Sequence, residues 1–167
     1  MRVRYKKGDP TDGVVLLITL FIIAIVFLIY GFVFPSIAVG LNQTGLFAAN
    51  NTQDAIGQFY DLGTEGINQG FLILFAGLIL AQFISAFAIR VNNIFLIIYF
   101  FTMVLAGFLA IYIGNSFEVL TQLPTFSTTV TQQPILVWVM GHILIITIAV
   151  DIMTMVLIFA KIGQPQV

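Results

Sequence analysis

The 167-residue chain is 60% hydrophobic and only 8% charged, with a mean hydropathy of +1.09. A soluble domain carries about a quarter charged residues, so this composition predicts an integral membrane protein whose main partner is the lipid bilayer. The net charge of −1 and only six basic residues argue against nucleic-acid binding. The absence of cysteine excludes disulfides, thiolate metal sites and cysteine nucleophiles.

Four apolar runs reach the roughly 20 residues that a helix needs to cross a hydrocarbon core of ~30 Å. The predicted spans are 14–34, 71–89, 94–113 and 135–160, and the predicted outer loops are 35–70 and 114–134. Lipid-facing backbone groups must be satisfied internally, so each span is expected to be a helix. The sequence therefore predicts an all-α fold in which residues 1–167 form a single four-helix transmembrane domain.

The basic residues predict the orientation in the membrane. They precede the first span, occupy the turn at 90–93 and follow the fourth span: Arg2, Arg4, Lys6, Lys7, Arg90 and Lys161. The two outer loops contain no Lys or Arg, whereas four of the seven acidic residues lie there. By the positive-inside rule, both termini are expected in the cytoplasm, or in the interior of a vesicle or virion.

The turn at 90–93 is so short that spans two and three are expected to form a tight antiparallel hairpin. Both spans carry small residues at i, i+4 spacing, which lets helix backbones approach closely in lipid. These residues are Gly77, Ala81 and Ser85 in one span, and Ala106, Ala110 and Gly114 in the other. The alternative is that Gly and Ala are simply abundant in membrane helices.

Each outer loop contains one segment with a recognisable pattern. In the first, a short helix is expected, with Asn51 or Thr52 as its cap, Asp54 in its first turn and Gly63 at its end. The alternative for this segment is an irregular loop. In the second, the alternation in TFSTTVT at 125–131 indicates an extended strand that pairs with a partner, and Pro134 fits the first turn of the fourth helix.

Asp151 is the one acidic residue near the centre of a span. Such an aspartate costs about 2.5–3.5 kcal/mol on insertion scales, so its position needs an explanation. Thr147 and Thr154 stand four residues before it and three after it, on the same helix face. His142, the only histidine, is nine residues away, which corresponds to about 180° around the helix and ~13 Å along it. The two residues are therefore not expected to form a catalytic dyad.

Polar residues from all four spans are expected at a similar depth in the inner half of the membrane: Thr19, Gln82, Ser85, Thr102, Thr147, Asp151 and Thr154. Intramembrane polar groups usually face the bundle interior and pair with one another. One interpretation is a buried polar layer that fixes helix register. The other is an ion or proton site at Asp151. The structural interpretation is preferred because no basic residue lies inside any predicted span.

The sequence contains no motif that names a catalytic activity. There is no G-x-S-x-G elbow, and GTEGINQG at 63–70 lacks the G-x-G-x-x-G order. A non-catalytic protein without a cofactor or metal is therefore predicted. The preferred function is a structural or assembly subunit that docks through its outer loops onto membrane or capsid-type proteins, or onto copies of itself. The alternative is a small ion or proton channel, a holin-like pore or a transporter component that uses Asp151.

Overall fold

A computed structural model describes residues 11–44, 50–88 and 93–162, and side chains at 11–44, 53–87 and 96–160. Its elements are α1 (Asp12–Gln43), α2 (Asn50–Asp61), a π turn (Leu62–Gly66), α3 (Ile67–Ala88), α4 (Asn93–Thr121), a 3₁₀ turn (Pro124–Phe126), α5 (Ser127–Gln132), α6 (Pro134–Gly141) and α7 (Ile143–Ile162). These described residues contain no strand. The predicted all-α class is thus confirmed for them.

Within the part of the chain that the structure describes, four helices are long and apolar enough to cross a membrane, as the sequence predicts. They lie within Asp12–Gln43, Gln53–Phe87, Leu96–Thr121 and Ile143–Ala160, with hydropathies of 3.1, 2.2, 2.4 and 2.7. Large apolar side chains are exposed on them, such as Ile73 at 71%, Phe101 at 69% and Ile145 at 66%. Such surfaces suit lipid rather than water. The chain therefore has the build of a multi-pass membrane protein.

The first helix is longer than the predicted span 14–34. Helix α1 runs through Pro35 and ends at Gln43. Proline lacks the N–H for an i→i−4 hydrogen bond and usually ends or kinks a helix. Membrane helices tolerate proline because their surroundings satisfy the freed backbone groups. Helix α1 therefore extends nine residues beyond the end of the predicted span.

The first outer loop contains the expected short helix, but that helix does not stop at Gly63. Helix α2 ends at Asp61, and the chain then passes without a break through the π turn Leu62–Gly66 into α3. The Ile67 N–H donates to the Leu62 carbonyl, the i→i+5 pattern of a π turn. The second span is thus preceded by helical turns.

The predicted strand at 125–131 is wrong, because this segment is helical. Pro124–Phe126 forms a 3₁₀ turn and Ser127–Gln132 forms α5. Hydroxyl groups stabilise the turns locally: Ser127 Oγ donates to the Pro124 carbonyl at 2.9 Å, and Thr131 Oγ1 to the Thr128 carbonyl at 2.7 Å. Such side-chain bonds compete with strand pairing.

The fourth span also departs from the predicted continuous helix at 135–160. Helix α6 begins at Pro134, as predicted, but ends at Gly141. A turn at His142 separates it from α7, which begins at Ile143. The His142 carbonyl accepts a hydrogen bond from the Ile146 N–H at 3.0 Å. The span consists of two helices with their junction at His142.

The chain groups into two compact units. The first unit comprises Met1–Leu20, Phe75–Gly114 and His142–Val167, and the second comprises Phe21–Leu74 and Asn115–Gly141. In the first unit, Ala86, Tyr99 and Ile158 form a buried apolar cluster, against which Leu96 and Met155 pack. In the second unit, the buried apolar residues include Leu28, Phe71, Phe117, Leu136 and Met140.

Candidate functional site

The candidate site lies in the first unit, around the carboxyl group of Asp151 on α7. Asp151 is only 5% exposed, and Gln82 on α3 is 8% exposed. Gln82 Nε2 donates a hydrogen bond to Asp151 Oδ1 at 3.3 Å. Asp151 Oδ2 is buried and accepts no hydrogen bond from any residue that the structure describes. One carboxyl oxygen is therefore bonded to a neighbouring helix, and the other has no such bond.

Tyr99 on α4 belongs to the same site, although the sequence did not single it out. The Tyr99 side chain is 6% exposed, and its hydroxyl donates to the backbone carbonyl of Asp151 at 3.4 Å. It also lies beside the side chains of Thr154 and Gln82. The signal available in the sequence was its spacing: Tyr99 stands three residues before Thr102, and thus on the same helix face.

The two threonines of α7 lie near Asp151 but differ in their surroundings. Thr154 is buried, and its Oγ1 donates to the Val150 carbonyl of its own helix at 2.8 Å. Thr147 is half-buried and lines a small cavity together with Asp151 and Gln82. Thr147 thus adds a polar group to the cavity wall, whereas the Thr154 hydroxyl is already used within the helix.

Helix α1 reaches this site through a glycine. A Cβ atom on Gly13 would stand 3.6 Å from Gln82 Nε2 and 3.7 Å from Asp151 Oδ1, which is ordinary van der Waals distance. On the same helix, Asp12 Oδ2 accepts a hydrogen bond from Ser85 Oγ at 2.9 Å. A second acidic side chain is thus held by α3, one turn from Gln82.

The remaining members of the predicted polar layer form bonds within their own helices. Thr19 Oγ1 donates to the Val15 carbonyl at 2.8 Å, and Thr102 Oγ1 donates to the Ile98 carbonyl at 2.9 Å. These hydroxyls need no partner from another helix. The structure therefore brings Gln82, Tyr99, Thr147 and Thr154 to Asp151, while Thr19 and Thr102 are satisfied locally.

The two predicted stripes of small residues have different environments. Ala106 and Ala110 on α4 are buried, at 3% and 0% exposure. Gly77 and Ala81 on α3 are exposed, and a Cβ added to Gly77 would meet nothing within 4 Å. Gly114 is half-buried. The residues predicted to set the orientation, Arg2, Arg4, Lys6, Lys7 and Arg90, lie outside the described residues, as does the Lys161 side chain.

A second polar cluster, in the second unit, centres on Gln133 between α5 and α6. Gln133 is fully buried, and its Nε2 donates to the Gly63 carbonyl of the π turn at 3.3 Å. Its Oε1 is buried and accepts no hydrogen bond from the described residues. A Cβ on Gly31 would overlap the Gln133 amide, and a Cβ on Gly63 would stand 2.6 Å from Pro35 Cδ. Both glycines therefore permit close packing.

Three further hydrogen bonds join α2, α3, α5 and α6 of the second unit. Asn68 Oδ1 on α3 accepts from the backbone N–H groups of Ile135 and Leu136, at 3.1 and 3.4 Å. It thus caps the first turn of α6 from a neighbouring helix. Gln132 Nε2 donates to the Tyr60 hydroxyl at 3.0 Å, which joins α5 to α2. Sequence patterns did not predict these contacts, because Asn68, Tyr60 and Gln132 lie in segments predicted to be loops.

The described residues contain no group of three or more His, Cys, Asp or Glu side chains with the arrangement of a metal site. His142 is exposed at the junction of α6 and α7. In comparisons with known proteins, no protein-family model, no curated protein and no solved structure matches this chain.

Proposed function

We propose that this protein is a non-catalytic structural or assembly subunit of a larger membrane-embedded assembly, either a membrane protein complex or the inner membrane of a lipid-containing virion. The observation that carries the proposal is the use made of its buried polar side chains. Gln82 joins α3 to α7, Gln133 joins the α5–α6 junction to the π turn, and Asn68 joins α3 to α6. Such bonds between helices stabilise a membrane bundle.

The topology that goes with this proposal has both termini on the cytoplasmic or virion-interior side. The basic residues of the sequence support it, because they fall before the first span, after the fourth and at Arg90. Spans two and three then form the hairpin, since α3 ends at Ala88 and α4 begins at Asn93.

Single-cysteine variants test the topology cleanly, because the chain has no cysteine. In sealed vesicles or cells, Thr44→Cys and Gln122→Cys should react with a membrane-impermeant maleimide from outside. Gln166→Cys should react only after the membrane is permeabilised. The reverse pattern would contradict the topology.

The proposed docking surface is the exposed side of α2 and the π turn. Asp54, Asp61 and Glu65 are exposed there, together with the aromatic side chains of Phe59 and Tyr60. The sequence from 35 to 70 contains no Lys or Arg. An acidic surface with exposed aromatic rings suits a partner with basic and apolar groups, since charge complementarity and aromatic anchors dominate many interfaces.

The assembly role is tested by the size of the native particle that contains the chain. After mild solubilisation of the native membrane, the chain should migrate in a particle well above its own 18.4 kDa plus detergent. Combined replacement of Asp54→Asn, Asp61→Asn and Glu65→Gln should release it to a smaller particle. Asp12→Asn, which removes an acid outside the outer segments, is the matched control and should not. A chain that is always monomeric would refute the proposal.

The alternative function is a small ion or proton channel, a holin-like pore or a transporter component. What favours it is the buried carboxyl group of Asp151, with one oxygen that accepts no bond from the described residues. Asp151→Asn separates the two functions. A conducting protein would lose ion flux in reconstituted vesicles while its assembly persists. A structural subunit would show no flux in either form.

A further inference from the structure

The first unit contains a cavity of about 30 Å³ beside Asp151. Its polar lining comes from the side chains of Gln82, Thr147 and Asp151. The rest of the wall is glycine or apolar: Gly13, Leu16, Leu17, Leu20, Phe75, Ile79, Ile143, Ile146 and Val150. A buried water needs roughly 10–15 Å³ of such space and two to four polar partners. The cavity thus has the size and the polar groups for one or two water molecules, and is too small for a hydrated metal ion.

The carboxyl group of Asp151, which lines this cavity, has one oxygen with unmet bonding capacity. The Asp151 side chain is only 5% exposed, and of its two carboxyl oxygens only Oδ1 accepts the hydrogen bond from Gln82. Oδ2 is buried without a hydrogen bond from the described residues. An ionised carboxylate in apolar surroundings is very costly unless it is paired and hydrogen-bonded. The negative charge must therefore be neutralised.

The side chains described in this unit provide no permanent cation for that purpose. The ranges 11–20, 75–87, 96–114 and 142–160 contain no Lys or Arg. Among the side chains of this unit that the structure describes on the neighbouring helices, the titratable groups are Asp12 on α1 and Tyr99 and Tyr112 on α4, and α3 contributes the neutral Gln82 and Ser85. Tyr112 is 73% exposed and lies 13 residues after Tyr99, more than three turns along α4. His142 lies more than two turns away on the chain. Asp12 is itself acidic and cannot compensate Asp151.

A bound metal ion would also find too few ligands. Calcium takes 6–8 oxygen ligands, and magnesium demands a near-ideal octahedral set. Only three polar side chains line the cavity, and one of them, Gln82, already directs its N–H toward the carboxyl group. The ligand that this wall can accommodate is a proton together with a water molecule.

We propose that Asp151 and this cavity form a proton-binding site, in which the protonated carboxyl group donates a hydrogen bond to one water molecule. The water in turn bonds to the side chains of Gln82 and Thr147. The carboxylate that remains when the proton dissociates keeps the bond from Gln82. The site does not depend on the assembly role, since none of the outer acidic residues takes part in it.

Infrared spectroscopy of the full chain in lipid nanodiscs tests the site. At neutral pH the wild type should show the C=O stretching band of a protonated carboxylic acid, shifted in D₂O. Asp151→Asn should remove the band, and the matched control Asp12→Asn should leave it unchanged. Thr147→Val should shift its frequency, because the water loses a partner. Absence of the band in the wild type, or its survival in Asp151→Asn, would overturn the proposal.

A chemical probe gives a second test that needs no variant to fold. Dicyclohexylcarbodiimide enters lipid and reacts with protonated carboxyl groups, and peptide mapping by mass spectrometry locates the adduct. In the wild type, Asp151 should be labelled at neutral pH and labelled less as the pH rises. Protection by sodium or lithium ions at constant pH would show a metal cation in the site and overturn the proposal, as would labelling confined to other acids. A chain that is always monomeric in the native membrane, with Asp151 still labelled, would refute the proposed function alone.

Discussion

The amide group of Gln133 occupies the space that a side chain on Gly31 would need. A Cβ built on Gly31 would overlap Gln133 Nε2 and would stand 2.6 Å from its Cδ and 3.1 Å from Thr129 Cγ2. Gln133 has no exposed surface and is bonded to the Gly63 carbonyl, so its amide has no free direction in which to move. The absence of a side chain at residue 31 is therefore required by a residue 102 positions later in the chain.

Gly31→Ala should lower the free energy of unfolding by about 1–3 kcal/mol, because an added methyl group overpacks the contact with Gln133. The measurement is unfolding of the protein in detergent micelles with increasing SDS, followed by circular dichroism. Gly77→Ala is the matched control, since a Cβ there would meet nothing within 4 Å. Equal stability of the two variants would contradict the packing described for Gln133.

Gly63→Ala should also destabilise the protein, and by at least as much as Gly31→Ala. Its added Cβ would stand 2.6 Å from Pro35 Cδ and 2.7 Å from Phe34 Cβ. These atoms belong to a ring and to the base of a side chain, so they yield less readily than the end of a flexible side chain.

Gly66→Ala is the control for Gly63→Ala within the same π turn. Its added Cβ would meet Leu62 Cδ2 at 3.4 Å, which is ordinary contact with the end of a side chain. The midpoint of SDS unfolding should fall for Gly63→Ala and stay close to the wild type for Gly66→Ala. A similar fall in both would point to the π turn itself rather than to the contact with Pro35.

Gln82→Leu and Asp151→Leu should show coupled effects on stability in a double-mutant cycle. Hydrogen bonds between membrane helices contribute about 0.6 kcal/mol on average and up to ~1.7 kcal/mol in such cycles. The bond from Gln82 Nε2 to Asp151 Oδ1 predicts a coupling in this range. Thr19→Val combined with Asp151→Leu is the control and should be additive, because Thr19 bonds only to Val15 of its own helix. Additivity of the Gln82 and Asp151 changes would refute the bond.

Asn68→Ala should loosen the first turn of α6. Its Oδ1 accepts from the N–H groups of Ile135 and Leu136, and loss of a helix cap costs about 0.5–2 kcal/mol. Hydrogen exchange at these two amides should become faster in Asn68→Ala. Asn68→Asp keeps an acceptor oxygen and should retain most of the protection. If exchange is unchanged in Asn68→Ala, the cap does not form.

The sequence predicted the helical class and the four long apolar helices, because hydropathy and the satisfaction of backbone groups leave few choices in a membrane. It did not predict the passage of α1 through Pro35, the helical course of 125–131 or the junction at His142. Each of these depends on local bonds or on neighbouring helices rather than on composition. Proline, for example, usually ends a helix in water but is tolerated in lipid.

The candidate site, too, was predicted only in part from the sequence. Depth along the helices placed Gln82 at the level of Asp151, and these two side chains are hydrogen-bonded. The depth of a residue in the membrane does not predict the acceptor of its hydroxyl group. Thr19 and Thr102 donate to backbone carbonyls of their own helices. Tyr99 was missed because an aromatic residue near the end of a span is usually an anchor at the membrane surface. Its partner, the backbone carbonyl of Asp151, leaves no mark in a sequence.

The π turn at Leu62–Gly66 lets this part of the chain lose one residue without turning its two helices relative to each other. Its i→i+5 bond spans one residue more than an α-helical bond, so removal of a single residue here would let α2 run into α3 as a regular helix. The wider turn takes up its extra residue within nearly the same rotation as an α-helical turn, so the faces of α2 and α3 would stay nearly in register. Tyr60 would then remain on the side of α2 that meets Gln132. Among related chains, one-residue deletions should therefore be more common in this turn than in the middle of α3.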